Sequence, residues 1–290
     1  MQNQDQLHRY LFEDAHVRGE IVQLKNSYQS VLTNHNYPAT IKQILGELLT
    51  ATSLLTATLK FEGDITVQLQ GDGPVKYIAI NGNNQLELRG VARYEQAPSS
   101  TRLSDVVGQG YLVITITPTK GERYQGIVAL EHETLAECLE KYFEQSEQLA
   151  TSIRLFTDVE SEQAAGILLQ MLPTQATSDK SQEDLDKFEH LVTLTSTMTD
   201  EEIFNLQAQD VLYRLYHEEN VQLFSPTAVN FVCGCSKEKT FNAIASINVA
   251  EVKSILDEQG EIKVTCEYCL TDYVFTPDEL TSLTDGALKH

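Results

Sequence analysis

Four of the five cysteines fall within 37 residues near the C-terminus, as Phe231-Val-Cys-Gly-Cys-Ser236 and, after 30 residues from Ser236 to Thr265, Cys266-Glu-Tyr-Cys269. Zinc takes four tetrahedral donors, and thiolates at about 2.3 Å are among its preferred ligands. Two close pairs, Cys233/Cys235 and Cys266/Cys269, supply that number from two loops. Gly234 gives the first pair the backbone freedom that two sulfurs on one ion require. The expected cofactor is therefore one Zn2+ per chain, held in the reduced state. A Cys-x-Cys pair is less common in zinc ribbons than Cys-x-x-Cys, so a purely thiol redox site and four incidental buried cysteines remain alternatives.

The same ligand set is open to oxidation. Four thiolates around a divalent ion carry a net charge of −2, and closely spaced cysteines can form disulfides. Losing the ligands removes a binding free energy of about 10 kcal/mol or more from the fold. A segment of about 60 residues has little core to offset that loss. Spacing alone does not say whether such a trigger is used.

The elements around the pairs can be read from the pattern. Lys237 to Ile247 and Val249 to Gln259 predict two helices, with Gly260 as a stop. Glu261 to Thr265 predicts a strand leading into the second pair, and Thr276-Pro-Asp-Glu279 a capped helix after it.

Upstream, the pattern changes. Ile41, Ile44, Leu45, Leu48 and Leu49 recur at helical spacing after Pro38, which suits a first helical turn. Asp64 to Gln70 alternates with period two, and Gly71-Asp-Gly-Pro74 separates it from Val75 to Ile80. Further strands are expected over Gln85 to Arg93, Gly110 to Pro118, Tyr124 to Leu130 and Ser152 to Thr157, with a helix over Glu131 to Phe143. Gly166 to Pro173 closes this part. The expectation is an α+β fold: an antiparallel meander packed with helices.

Thr174 to Gln182 is polar and aperiodic, a boundary candidate. Beyond it, residues 179–231 carry 11 acidic and 3 basic side chains, a net −8. Leu185, Phe188, Leu191, Val192 and Leu194 keep a helical period, and Thr199-Asp-Glu-Glu202 resembles a capping box opening one helix through Phe204, Leu206 and Val211 to Tyr216. Helices of this kind depend on docking, since packing supplies most of a short helix's stability. The alternative is that they are ordinary surface helices of one larger domain. The expected organisation is a core domain over 1–178, a helical linker over 179–231 that depends on docking and a small C-terminal zinc-binding domain over 232–290.

Composition excludes several classes. The formal charge is −21, from 42 acidic and 21 basic side chains, which opposes binding to nucleic acid or anionic lipid. Met1 to Tyr10 lacks a cationic leader with a long apolar run, and Tyr111 to Ile116 is too short to span a bilayer. A cytosolic protein is expected, with cysteines kept as thiols.

Other candidates carry less. Gly71-Asp-Gly-Pro74 lacks the Gly-x-x-x-x-Gly-Lys-Ser/Thr of a phosphate loop and is read as a hairpin turn. Cys138 is read as a helix-face thiol. The seven histidines are scattered, and only His290 follows the cysteine cluster, so histidine ligation is not expected.

The chain resembles the redox-regulated heat shock protein 33 family, the bacterial 33 kDa chaperonin, over nearly its whole length. The likeness lies in Tyr10-Leu-Phe-Glu13, Val17-Arg-Gly-Glu20, Leu45-Gly-Glu-Leu-Leu49 and Leu54 to Gly63. It continues in Val67 to Pro74, Arg89-Gly-Val-Ala-Arg93, Cys233-x-Cys235-Ser-x-Glu238 and Cys266-x-x-Cys269. Two positions depart from the family pattern. Asn248 stands where many members have a helix-ending Gly, and Leu270 where a Gly or polar residue is usual. The resemblance implies an ATP-independent holdase, inactive when reduced and zinc-bound. It implies that oxidation forms Cys233–Cys235 and Cys266–Cys269 disulfides, releases zinc, unfolds the linker and zinc domain, and exposes apolar surface to unfolding client proteins. It also implies a homodimer when oxidised, and no enzymatic activity.

Two other classes compete. A thiol-disulfide oxidoreductase would use Cys266 and Cys269, although a thioredoxin-like pair belongs near the start of a βαβ unit. A zinc-ribbon nucleic-acid adaptor is opposed by the acidic balance.

Overall fold

The computed structural model describes residues 4–58, 62–172 and 182–284. In chain order its elements begin with β1 (Gln6–Phe12), β2 (Val17–Leu24), α1 (Asn26–Leu32) and α2 (Ala39–Thr58). Then follow β3 (Gly63–Gly71), β4 (Val75–Asn83), β5 (Glu87–Tyr94), α3 (Leu103–Val107), β6 (Gly110–Pro118) and β7 (Tyr124–Ala129). Next are α4 (Leu135–Tyr142), which runs into a π-turn over Phe143–Glu147, β8 (Thr151–Asp158) and β9 (Gln163–Met171). Three helices come after: α5 (Gln182–Ser196), α6 (Asp200–Asn205) and α7 (Ala208–Tyr216). Short strands β10 (Val221–Leu223), β11 (Thr227–Ala228) and β12 (Asn230–Phe231) lead to α8 (Lys237–Ala245), α9 (Val249–Gln259), β13 (Ile262–Thr265), β14 (Asp272–Phe275) and α10 (Pro277–Thr284).

The fold is α+β, and it divides into two compact units, one of Met1–Leu32 with Asn36–Val232, the other of Thr33–His35 with Cys233–His290. The aperiodic boundary segment falls mainly on 173–181, outside the described residues.

In the first unit α2 is the centre. It is apolar nearly all round, and a helix with no polar face must be covered on every side. Strands β2, β8 and β9 pack on it from one sheet and β3, β4 and β5 from another. Its buried hydroxyls turn back on the helix: Thr52, Ser53 and Thr56 donate to the carbonyls of Leu48, Leu49 and Thr52 at 2.7–2.9 Å.

The single meander expected from the sequence is two sheets. One runs β12-β5-β4-β3-β6-β7; the other runs β10-β1-β2-β9-β8, with β11 also on β1. Strands β1 and β2 were not anticipated, and they take β8 and β9 away from the meander. Their alternation is obscured because β2 is buried on both faces, where a strand reads as a nearly continuous apolar run.

One face of the β1/β2/β9 sheet meets α2. The other, bearing Tyr10, Phe12, Val17, Ile21, Ile167 and Leu169, is covered by α5, α6 and α7 through Phe188, Leu191, Ile203, Val211, Leu212 and Tyr216. The single helix expected from Thr199 to Tyr216 is broken. Leu206 is extended, at φ −99° and ψ 158°, and Gln23 of β2 donates its amide to the carbonyls of Ile203 (2.6 Å) and Leu206 (2.8 Å). A tertiary partner satisfies the freed helix end, so the break costs little. The Thr199 capping box is present, with Glu202 as its reciprocal partner.

The second unit is small. Ile244, Val252, Ile262, Phe275 and Leu280 are its buried apolar side chains among the described residues. Helix α8 stops at Ala245, two residues short of the expected end. Asn248 does not serve as a left-handed C-cap. It is extended, at φ −60° and ψ 130°, and its side chain accepts from Ala250 N as the N-cap of α9. Gly260 takes the left-handed stop, at φ 77°.

Candidate metal centre

Two pieces of chain bring the cysteines together. The first, after β12, turns at Gly234, whose φ of +65° is the left-handed backbone that glycine adopts without strain. The turn delivers Cys233 and Cys235 just ahead of α8, whose N-cap Ser236 accepts from Lys239 N at 3.1 Å. Lys239 Nζ also donates to Gly234 O at 2.7 Å, pinning the arm.

The second piece is the β13–β14 hairpin, in register from Ile262↔Phe275 to Thr265↔Asp272. At its tip Cys266 N donates to Thr271 O (2.9 Å) and Leu270 N to Cys266 O (2.8 Å), closing a tight knuckle around the second pair. The knuckle puts Leu270 at φ +55°, which costs a non-glycine residue roughly 1–2 kcal/mol.

The four sulfurs lie within 4.8 Å of one another, with Cys233 to Cys266 and Cys235 to Cys269 both at 3.5 Å. Four thiolates at tetrahedral zinc distances would stand about 3.8 Å apart. A disulfide needs about 2.05 Å, and all the described cysteines are free thiols. The donor set and its spacing therefore fit a tetrahedral thiolate-binding ion.

The protonation chemistry agrees. Burial pushes the Cys233 thiol up to about 12, and it raises Cys235 as well. Burial also acts upward on Cys269, but the Thr271 hydroxyl and N–H and the Cys233 and Cys235 thiols outweigh it and bring Cys269 down to about 6. The Cys269 thiolate forms readily, whereas Cys233 and Cys235 resist ionisation. A bound cation would compensate the thiolates that burial disfavours, and ligation of this kind releases protons.

Two hydroxyls that sequence reasoning missed touch the sulfurs. Tyr273 of β14 donates to Cys235 Sγ at 3.0 Å, and Thr271 Oγ1 lies 3.2 Å from Cys269 Sγ. Thr271 is readable as a near neighbour of its cysteine. Tyr273 is 38 residues from Cys235, and nothing in the pattern announces that meeting.

The remaining candidates behave differently. Cys138 lies in α4, 1% exposed, with Sγ 3.9 Å from His132 O, and burial raises its thiol away from the reactive range. In the Gly71–Pro74 turn, Asp72 N and Gly73 N donate to the carbonyls of Gln109 (3.3 Å) and Val107 (2.8 Å). Those amides are spent inside the fold, which leaves none for a phosphate.

The chain thus combines a two-sheet domain around a central helix with a small unit that carries four clustered thiols. A model of the family described as Hsp33 protein matches residues 5–276. The chain is 57% identical over 282 residues to the 33 kDa chaperonin of Shewanella woodyi, covering 97% of this chain and 96% of that one. It is 53% identical over 277 residues to the 33 kDa chaperonin of Colwellia psychrerythraea, covering 95% and 94%. A crystal structure of the 33 kDa chaperonin of Thermotoga maritima shares the fold with a TM-score of 0.82 at 22% identity, covering 99% of this chain and all of that one. The chain belongs to the Hsp33 family. Membership supports a chaperone function, with client proteins as partners and a non-enzymatic role. Among the described residues no helix is long and apolar enough to cross a membrane.

Proposed function

We propose that the chain is a redox-regulated, ATP-independent holdase of the cytoplasm whose switch is one Zn2+ held by Cys233, Cys235, Cys266 and Cys269. The carrying observation is the set of four sulfurs within 4.8 Å at the head of a unit that has, among the described residues, five buried apolar side chains. When bound, the ion supplies electrostatic compensation for four thiolates and a cross-link between the first arm and the hairpin.

Oxidation by a peroxide-class oxidant acts on the chain's own sulfurs. Within a pair, one thiolate attacks a peroxide oxygen, the O–O bond breaks and hydroxide leaves. The second thiolate then attacks that sulfenic sulfur and expels a second hydroxide. Each disulfide takes two electrons from the pair and gives them to one peroxide; two peroxides and four protons yield two disulfides and four waters. The proposed products are Cys233–Cys235 and Cys266–Cys269, since one or two intervening residues keep partners in reach after the centre opens.

With the donors gone, the small core carries the second unit alone. In this reading 1–178 is the stable domain, 179–231 the metastable linker and 232–290 the redox domain. Unfolding of the last two uncovers the apolar face beneath α5–α7 to clients, and the oxidised form dimerises. The surplus of negative charge keeps the exposed state soluble and disfavours nucleic acid.

Aggregation of a denatured client, followed by light scattering with zinc-loaded reduced protein and with peroxide-treated protein, tests the reading. Suppression should appear only after oxidation, together with release of one zinc per chain. Equal suppression by both forms removes the redox switch and leaves only the chaperone.

A further inference from the structure

We infer that Tyr273 is a positioning residue of the four-thiol centre, whose phenol reaches from the hairpin of the second pair to Cys235 of the first, holds that sulfur for the metal and slows its oxidation. The inference rests on the metal reading above.

The hydroxyl is placed by the hairpin itself. The pairing Val264↔Tyr273 sets its Cα one step from the knuckle, and Tyr273 packs against the small core of Ile244, Val252, Ile262, Phe275 and Leu280. The phenol O–H then stands 3.0 Å from Cys235 Sγ. A thiolate has no proton to give, so the phenol donates. Thr271 stands in the matching place beside Cys269, so one sulfur of each pair has a hydroxyl at 3.0–3.2 Å. Tyr273 alone of the two joins different pairs, and it does so without passing through the ion.

Two consequences follow from the chemistry of a hydrogen-bonded thiolate. Outer-shell donors orient a ligand and disperse its charge, and losing one typically weakens metal binding about 10–100-fold. The donated bond also withdraws electron density from the sulfur lone pair that attacks a peroxide oxygen. Removing the hydroxyl should therefore loosen the metal and quicken the first oxidation step together.

The test uses the full chain, with Tyr273→Phe preserving the ring. Chelator competition should show zinc affinity lowered about 10–100-fold, and peroxide-driven zinc release, followed with a chromogenic chelator, should be several-fold faster. In cobalt-loaded protein the sulfur-to-cobalt charge-transfer band should move to longer wavelength, because an unassisted thiolate gives up an electron more easily. A purely structural role would not shift that band. Should Tyr273→Phe fold poorly, 3,5-difluorotyrosine placed at position 273 gives the opposite arm, since a stronger donor should move the band to shorter wavelength and slow release. Wild-type protein that binds one zinc, beside variants with unchanged band, affinity and rate, overturns the inference alone. Wild-type protein that binds no zinc overturns the metal reading and this inference with it.

Discussion

Replacing Tyr216 by alanine should undock α5–α7 from the β1/β2/β9 sheet without any oxidant. Tyr216 is 2% exposed. Its ring meets Phe12 edge-on at 4.9 Å and 89°, and lies 6.1 Å from Tyr10. Its hydroxyl pairs with Thr195 at 2.5 Å, tying α7 to α5. Removing a buried aromatic side chain costs about 3–5 kcal/mol. At about 1.4 kcal/mol per factor of ten, the undocked population rises roughly a thousandfold. Tyr216→Phe removes only the hydroxyl and should cost about 1 kcal/mol, because Thr195 keeps its bond to Leu191 O at 2.7 Å. Tyr213, on the same helix but 72% exposed, is the control, and its alanine variant should change stability by less than about 0.5 kcal/mol. Hydrogen exchange on reduced protein reads the result. Amides of α5 and α7 should lose protection in Tyr216→Ala while β3–β6 keep theirs, and holding of a denatured client should rise in the reduced state. Unchanged protection of α5 and α7 would refute the reasoning, since it would mean that the helices do not depend on this contact.

Changing Cys266 to Ser should abolish stoichiometric zinc, whereas Cys138→Ser should retain it and still respond to oxidation; metal analysis and the scattering assay decide both. Leu270→Gly should relieve the φ of +55° and stabilise the knuckle by about 1 kcal/mol, seen as a higher chelator concentration needed to unfold the second unit. Acidification from pH 7.5 to 5.5 should act oppositely on the two faces of one sheet. His8, buried at 4% exposure, is held below its ordinary 6.5 by burial, so the stability it lends to the docked face is present above about 6.5 and fades as pH falls. Burial pushes Glu20 and Glu47, on the α2 side, up to about 7, despite Arg18 and Arg9 near the first and the Gln43 hydrogen bond to the second. Their contribution is complete below about 4.5 and is lost as pH rises through about 7, so acid should favour the core. Exchange at the two pH values should show α5–α7 loosening while α2 does not; loosening of both together would contradict this assignment.

Much of the fold was legible where local rules act alone. The apolar run of α2, the alternation of β3 and β6 and the capping box at Thr199 are short-range signals, and each element stands within a few residues of its expected place. The failures share a cause. Strands β1 and β2 are hidden because one of them is covered on both faces. The break at Leu206 is invisible because its stabilising partner, Gln23, is 183 residues away. Asn248 stands where family members carry a helix-ending Gly, yet here its extended backbone and its side-chain bond to Ala250 N make it the start of α9.

By itself the sequence determined the four clustered cysteines, their pairing in two loops and the glycine that lets the first pair turn, because these depend on chemistry and on spacing along a few bonds. Only the tertiary structure decided that the four sulfurs stand within 4.8 Å, that Cys235 receives a phenol from a strand 38 residues on, and that Cys138 is sealed inside the first unit. Sulfur-to-sulfur distance depends on how a hairpin and an arm pack on a core of five side chains. That packing is a sum of long-range contacts, and no stretch of the chain holds it locally.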